Sequence, residues 1–365
     1  MTTSETLPVS LIMTVLNEEL SLPGFLQSVE EQSLPPDEVV VVDGGSTDRT
    51  LAVLSAWSDR ASIKVRVVES PGANISAGRN QAIEHAQHDL IAVTDAGTVL
   101  EPQWLEELVQ ARTRKGADVV SGFFEPTWSS WNERMFATLL MPVLDEIDPD
   151  RFLPSSRSLL VSRHAWSAAG GYPEWLDYCE DLVFDLALRR ACMEFVFQPT
   201  AIAKWSARGT WHAYTKQYYR YARGDGKSGL WPRRHALRYG AYTVGAVGLL
   251  APFGVVPRLA LALGFAFYAA KFCRRAWARR PKGWHRVLRL LVSVPAVVVV
   301  GDVAKMVGYP VGVVWRLRRL RRTNGAGEPV RDASGRDICD NGTVLCRQPR
   351  RSDVPLRSGH AVPRG

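Results

Sequence analysis

Short apolar runs at 9–15, 39–42, 63–68, 90–94 and 118–124 alternate with stretches of helical spacing, expected to about 32 and then at 50–59, 76–86 and 102–114. The run Val39-Val40-Val41-Val42 is wholly β-branched and reads as a strand buried on both faces. Strands alternating with helices predict a mostly parallel, helix-covered sheet, and right-handed crossovers leave few ways to connect it. No internal repeat is present. Polar residues gather where the strands end, at Leu16-Asn17-Glu18-Glu19, at Asp43-Gly44-Gly45-Ser46-Thr47-Asp48 and at Asp95-Ala96-Gly97. Open α/β sheets bind ligands at that edge. Gly44 and Gly45 can take positive φ and bring amides near a ligand, and Ser46 or Thr47 can cap the next helix. An ordinary strand-to-helix turn, with Asp48 complementing the helix dipole, is the competing reading.

The alternation loosens over 125–178, where Trp128, Trp131, Phe136, Met141 and Phe152 stand among prolines, acids and serines. Aromatics are mostly buried, so this segment reads as a cover for the core, with an acceptor or sugar site as the alternative. Glu180 and Asp181 open a helix expected over 182–190. Acids there favour the helix dipole, or one of them is a general base held at the mouth of the sheet. Residues 204–229 interleave aromatic rings with Lys216, Arg220 and Arg223. Such a segment suits phosphate binding, and equally an amphipathic helix with its rings at a membrane interface.

Two apolar blocks, 239–270 and 290–315, each exceed the roughly 20 residues that cross a bilayer as a helix. Arginine-rich flanks lie before, between and after them. One crossing per block would put the middle cluster on the wrong side, so each block is expected to fold back near Pro252 and Pro257, and near Pro295, Asp302 and Pro310. A bundle of buried helices is the alternative. The formal charge of +8 is concentrated in the second half, which points to a membrane surface or a polyanion. The five cysteines form no CxxC pair and read as reduced thiols, and the N-terminus has no secretory pattern. Residues 323–365, rich in glycine, proline and charge, read as disordered.

Taken in order, these motifs resemble the family 2 glycosyltransferases, whose nucleotide-sugar domain has the GT-A fold. The resemblance runs from about Val9 to Gly226 and is carried by Thr14 to Glu19, Asp43 to Asp48, Gly78-Arg79-Asn80, Asp95-Ala96-Gly97 and Glu180-Asp181. It implies a domain over 1–230, a membrane-associated helical region over 231–322 and a tail over 323–365. By similarity, Asp181, with Glu180 beside it, is the catalytic base. Val15, Asn17, Glu18, Asp43, Gly44, Ser46, Asp48, Arg79, Asn80, Asp95, Arg220 and Arg223 are the candidate nucleotide-sugar residues. Asp95 falls where the family carries a metal-binding DxD, implying Mg²⁺ or Mn²⁺, but the third position is Gly97, which makes His212 a candidate substitute ligand.

The activity implied is inverting transfer of a single sugar from a UDP- or GDP-sugar to a lipid-linked or cell-envelope glycan, at the cytosolic face of the cytoplasmic membrane. The QxxRW sequence of processive synthases is not found, which sets the processive reading second, and a non-catalytic nucleotide-sugar-binding scaffold is the reading from another class. No specific nucleic-acid module is present. A homo-oligomer is compatible with the sequence but not required by it.

Overall fold

The structure is a computed structural model that describes residues 7–250 and 254–324. The first half follows the predicted alternation: β1 (Val9–Val15), α1 (Leu22–Glu30), β2 (Glu38–Asp43), α2 (Thr50–Ser58), β3 (Lys64–Glu69), α3 (Ile75–His85) and β4 (Leu90–Val93). A short strand not foreseen, β5 (Thr98–Leu100), precedes α4 (Trp104–Lys115) and β6 (Val119–Thr127). The segment that looked loose contains α5 (Trp131–Leu140), a 3-10 turn (Leu144–Glu146), β7 (Leu159–Ser162) and α6 (Arg163–Ala168). Then come α7 (Glu180–Arg190), β8 (Phe195–Ser206), α8 (Trp211–Ser228), α9 (Pro232–Leu250), α10 (Val255–Ala278) and α11 (Trp284–Asn324).

The strands form one mixed sheet in the order β3-β2-β1-β4-β7-β6-β8-β5. β1, β2, β3 and β4 pair in parallel, and β2 is buried along its whole length, as four consecutive valines require. β7 is inserted antiparallel between β4 and β6. β6 pairs with β8 in parallel, and β5 closes that edge antiparallel to β8. One face packs on α1, α2 and α4 through Phe25, Trp57 and Trp104, and the other on α3, α6 and α7 through Ile83, Tyr172 and Phe184. This is the α/β domain followed by C-terminal helices that the resemblance implied.

The C-terminal helices do not hang free of the sheet. A third core joins Phe136 of α5 and Tyr214 of α8 to Phe272 of α10 and to Leu290, Val294 and Val297 of α11. Most of the aromatic segment is therefore core cover, although Phe152 faces the cavity described below. α8 and α11 run side by side: Tyr214 Oη donates to the Val297 carbonyl (2.7 Å), Lys227 lies over the Trp315 ring, and Trp175 stacks on Trp315. Glycines make this approach possible. A Cβ on Gly308 would strike the Tyr219 carbonyl, and one on Gly312 would strike the Arg223 carbonyl and, at 2.7 Å, the Lys227 nitrogen. The rings of α8 are thus spent largely on α5 and α11 rather than on headgroups.

The two apolar blocks behave differently. The first divides before α10, where Gly254 is extended ahead of Val255; Pro252, where a bend was expected, lies outside the described residues. The second does not fold back, contrary to expectation: α11 runs unbroken with Pro295 and Pro310 inside it. Proline cannot donate to the carbonyl four residues earlier. For Pro310 that carbonyl belongs to Met306, and Tyr239 Oη of α9 donates to it instead (2.5 Å), which lets the helix continue. α10 and α11 are both long and apolar enough to cross a membrane, the apolar stretch of α10 being largely exposed and that of α11 nearly half buried. The expected disordered tail lies outside the described residues except for its start at 323 and 324, which the structure places in α11. Among the described residues Cys179 and Cys273 are free thiols, as expected.

The glycine seam predicts opposite effects at two glycines. Gly312→Val should lower the thermal stability of the detergent-solubilised protein by about 1–3 kcal/mol through overpacking. Gly264→Ala, where nothing lies within 4 Å of the added methyl, should leave it unchanged or raise it slightly. Equal melting temperatures for the two variants would refute the seam.

Candidate active site

The loops after β1 and β2 are laced together. Asn17, at φ 57°, accepts from the Thr47 nitrogen (2.8 Å) and gives its own amide to Ser46 Oγ (2.9 Å). The Glu18 amide donates to Thr50 Oγ1, the Glu19 amide to Asp48 Oδ2, and the Gly44 amide to the Val15 carbonyl. Asp43, 1% exposed, accepts from the amides of Gly45 and Ser46 (both 2.9 Å) and from Ser46 Oγ. Only Gly45 of the glycine pair uses positive φ. The α2 start is served by Asp48, which accepts from the Thr50 amide (2.9 Å) and hydroxyl, and not by Ser46 or Thr47, which are occupied in the lacing. Val15, Asn17, Asp43, Gly44, Ser46 and Asp48 are therefore brought together, though mainly onto one another.

On α3, Gly78 sits against Thr14 of β1, whose methyl would lie 2.7 Å from an added Cβ, so the helix lies unusually close to the sheet. That closeness carries Arg79, 2% exposed, to the ends of two other segments. It donates to Asp95 Oδ1 (2.7 Å) just after β4 and to Glu180 Oε1 (3.0 Å) at the start of α7. Burial works against the Arg79 charge, and the two carboxylates more than compensate. Asn80 faces elsewhere. It donates to the Tyr172 carbonyl and to Glu174, and it accepts from Trp166 Nε1 and the Tyr172 amide, so its amide is fully used in holding the 166–174 loop. This corrects its assignment to the nucleotide site.

A cavity of about 1410 Å³ opens over these residues. Glu18, Arg79, Asp95, Glu180, Asp181 and Arg220 line it, as do Trp205 and Tyr221 from the aromatic segment 204–229 and two residues the sequence reading passed over, Arg157 and Gln217. Arg157, from the turn before β7, lies 3.4 Å from Asp95 Oδ2 and stacks over Trp205 at 4.5 Å. Arg220 donates to Tyr178 Oη, and Gln217 donates to Tyr221 Oη (2.7 Å). Gln217-Tyr218-Tyr219-Arg220-Tyr221 differs from QxxRW only in its last ring, a signal present in the sequence and missed there. Arg223 turns aside to pair with Asp177.

At α7, Cys179 takes the N-cap position at φ 65°, and its thiol, pushed up by burial, donates to the Tyr221 carbonyl. Asp181 is half-buried, and its Oδ1 accepts from the Leu182 amide (2.8 Å). One turn on, buried Asp185 is raised well above the usual carboxylate range by burial and by Asp181, which favours its neutral form.

Asp95 is the residue that would hold a divalent cation. It faces the cavity, and open space lies beyond Gly97, where the second DxD carboxylate is missing. His212 does not supply the substitute: it is exposed at the start of α8 and does not line the cavity, and among the described residues no three His, Cys, Asp or Glu side chains converge as a metal cage. One carboxylate beside a roomy cavity fits a cation that arrives bound to a diphosphate, because Mg²⁺ is usually held by one or two carboxylates plus substrate phosphates.

The sequence model described as Glycosyl transferase family 2 matches residues 10–160, which run from β1 into β7. These residues are similar to the family 2 glycosyltransferases over that stretch. The chain is 29% identical over 179 residues to glycosyltransferase AglE of Haloferax volcanii, covering 47% of this chain and 59% of that protein. It is 32% identical over 135 residues to an undecaprenyl-phosphate 4-deoxy-4-formamido-L-arabinose transferase of Pseudomonas aeruginosa, covering 35% of this chain and 40% of the relative. The chain thus spans less than two thirds of these curated relatives. Among solved structures, the mannosyltransferase PcManGT from Pyrobaculum calidifontis in complex with GDP-Man and Mn²⁺ aligns over 85% of this chain and 86% of its own, at 17% identity and a TM-score of 0.49.

At the start of α7, beyond the residues matched by the family model, burial and Asp181 push Glu180 up to about 7, while Arg79 pulls the other way. A carboxyl raised in the folded state binds more protons there than in the unfolded chain, so stability falls as pH rises from about 4.5 to about 7. Glu180→Gln removes this titration. Its melting temperature relative to wild type should climb across that window and level off above it. A difference that stays flat with pH would mean that Arg79 keeps Glu180 ionised throughout.

Proposed function

We propose that this protein is a membrane-associated, inverting glycosyltransferase that moves one sugar from a nucleoside diphosphate sugar to a lipid-linked or cell-envelope acceptor. The observation that carries this reading is the placement of Asp181 in the wall of the same cavity as Asp95, with Glu180 and Arg79 fixing the distance between their segments. Glu180 is engaged by Arg79, which leaves Asp181 as the base. It takes the proton of the acceptor hydroxyl as that oxygen bonds to the anomeric carbon. The bond from that carbon to the diphosphate breaks, its electron pair leaves with the nucleoside diphosphate, and single displacement inverts the centre. Arg157 and Arg220 face the cavity and suit the diphosphate. A divalent cation at Asp95 would supply further neutralisation of the leaving group. Asp43 has one acceptor position left but 1% exposure, so a nucleobase reaches it only if the turn after it opens.

Membrane association is supported by the exposed apolar face of α10, where Leu263 is 71% and Phe267 86% exposed. The relative whose name includes undecaprenyl-phosphate supports a lipid-linked acceptor, and a catalytic domain on the cytosolic side of the cytoplasmic membrane is part of the same reading. A processive synthase is the second reading, favoured by Gln217, Arg220 and Tyr221 at the cavity. The length of the product separates the two.

The deciding assay incubates detergent-purified protein with a panel of UDP- and GDP-sugars, Mg²⁺ or Mn²⁺ and membrane lipid extract. Asp181→Asn should lower turnover by at least about 100-fold while donor still binds. Donor binding without turnover in wild type would favour the scaffold reading instead. Because Asp95 is the lone carboxylate ligand, cation and donor should bind together. Mn²⁺ alone should leave the melting temperature unchanged, Mn²⁺ with nucleoside diphosphate should raise it, and a chelator should abolish turnover. A clear shift with Mn²⁺ alone would reveal a resident site.

A further inference from the structure

The cavity does not end at the sheet. It continues among α9, α10 and α11, where Arg234, Arg238, Lys271, Lys305 and Asp302 line it. Asp302, 1% exposed, accepts from Arg238 Nε (3.0 Å), Lys305 Nζ (3.1 Å), Tyr268 Oη (2.7 Å) and Tyr242 Oη (3.3 Å), so it is saturated. Neighbouring Arg275 is matched by Glu146. Four cations therefore share one carboxylate. Lys271 lies over the rings of Tyr268 and Phe272 at 5.5 and 4.9 Å and makes no ion pair among the described residues, and neither does Arg234 at the rim. Excess positive charge held together beside low-dielectric helices is costly unless an anion joins it.

The surroundings say what kind of anion. Leu259, Leu263 and Phe267, respectively 58%, 71% and 86% exposed, stand at four-residue steps along α10, and Lys271 is the next step in that row. Residues so spaced share one face of a helix. The row is an apolar track that ends in a cation at the cavity. We propose that α9, α10 and α11 form a binding site for a phosphate-headed lipid, with its phosphoryl group against Lys271, Arg234 and Lys305 and its chain along the Leu259–Phe267 row. This deepens the proposed function, on which the lipid's role as acceptor rests. The head would lie in the same cavity as Asp181.

Binding to full-length protein in detergent, without donor, tests the site using farnesyl phosphate, farnesol and inorganic phosphate. Farnesyl phosphate should bind at least roughly tenfold more tightly than either of the others. Arg234→Gln with Lys271→Gln should weaken it by a similar factor, Lys271→Arg should largely retain it, and donor hydrolysis in the absence of acceptor should be unchanged. Equal binding of farnesol would show an apolar track with no phosphoryl site. Equal binding of inorganic phosphate would show an anion site with no lipid. Unchanged affinity in the double variant would refute the placement. Because this affinity is read without turnover, it stands or falls separately from catalysis.

Discussion

A guanidinium buried to 2% exposure cannot remain there without partners, and the rest of the site follows from how Arg79 is satisfied. Its two carboxylates come from chain segments 16 and 101 residues away, so the ion pairs tie the end of β4 to the start of α7 across α3. Its neighbours serve the same end: Gly78 lets α3 approach β1, and Asn80 latches the 166–174 loop that leads into α7. A consecutive triplet thus sets helix height, charge and loop path together. Asp181 owes its position to that clamp.

The second constraint is backbone proximity along α8 and α11. Cβ-free positions at Gly308 and Gly312 let α11 press on α8, whose opposite side supplies Gln217, Arg220 and Tyr221 to the cavity. α10 is fixed by its basic end, where Arg275 holds Glu146 and the Leu140 carbonyl, and Arg279 donates to the Met141 carbonyl. Cations at the carbonyl end of α5 complement that helix's dipole. The apolar helices are consequently part of the cavity wall, and anything bound among them has access to the same space as the acids of the sheet.

Much of the first 115 residues was legible because strand and helix periods differ and each run is long enough to show its own. β5, β7 and β8 escaped notice: β5 and β7 are only three and four residues long, and the apolar run of β8 is broken by Gln198-Pro199-Thr200. β7 nevertheless sits in the middle of the sheet, and the turn before it delivers Arg157. The fold-back expected at Pro310 failed because tyrosine from another helix satisfied the freed carbonyl, a partner no local reading can supply.

The sequence by itself determined the α/β alternation, the polar strand ends, the acids at 95, 180 and 181 and the two apolar blocks, since composition and spacing along a single segment encode these. Tertiary structure alone decided which of those residues face one another. It put Asn80 into a loop latch, left His212 outside, joined Arg157 to Asp95 and laid α11 along α8. Burial, charge pairing and backbone contact act between segments far apart in the chain, and such distances exist only once the chain has folded.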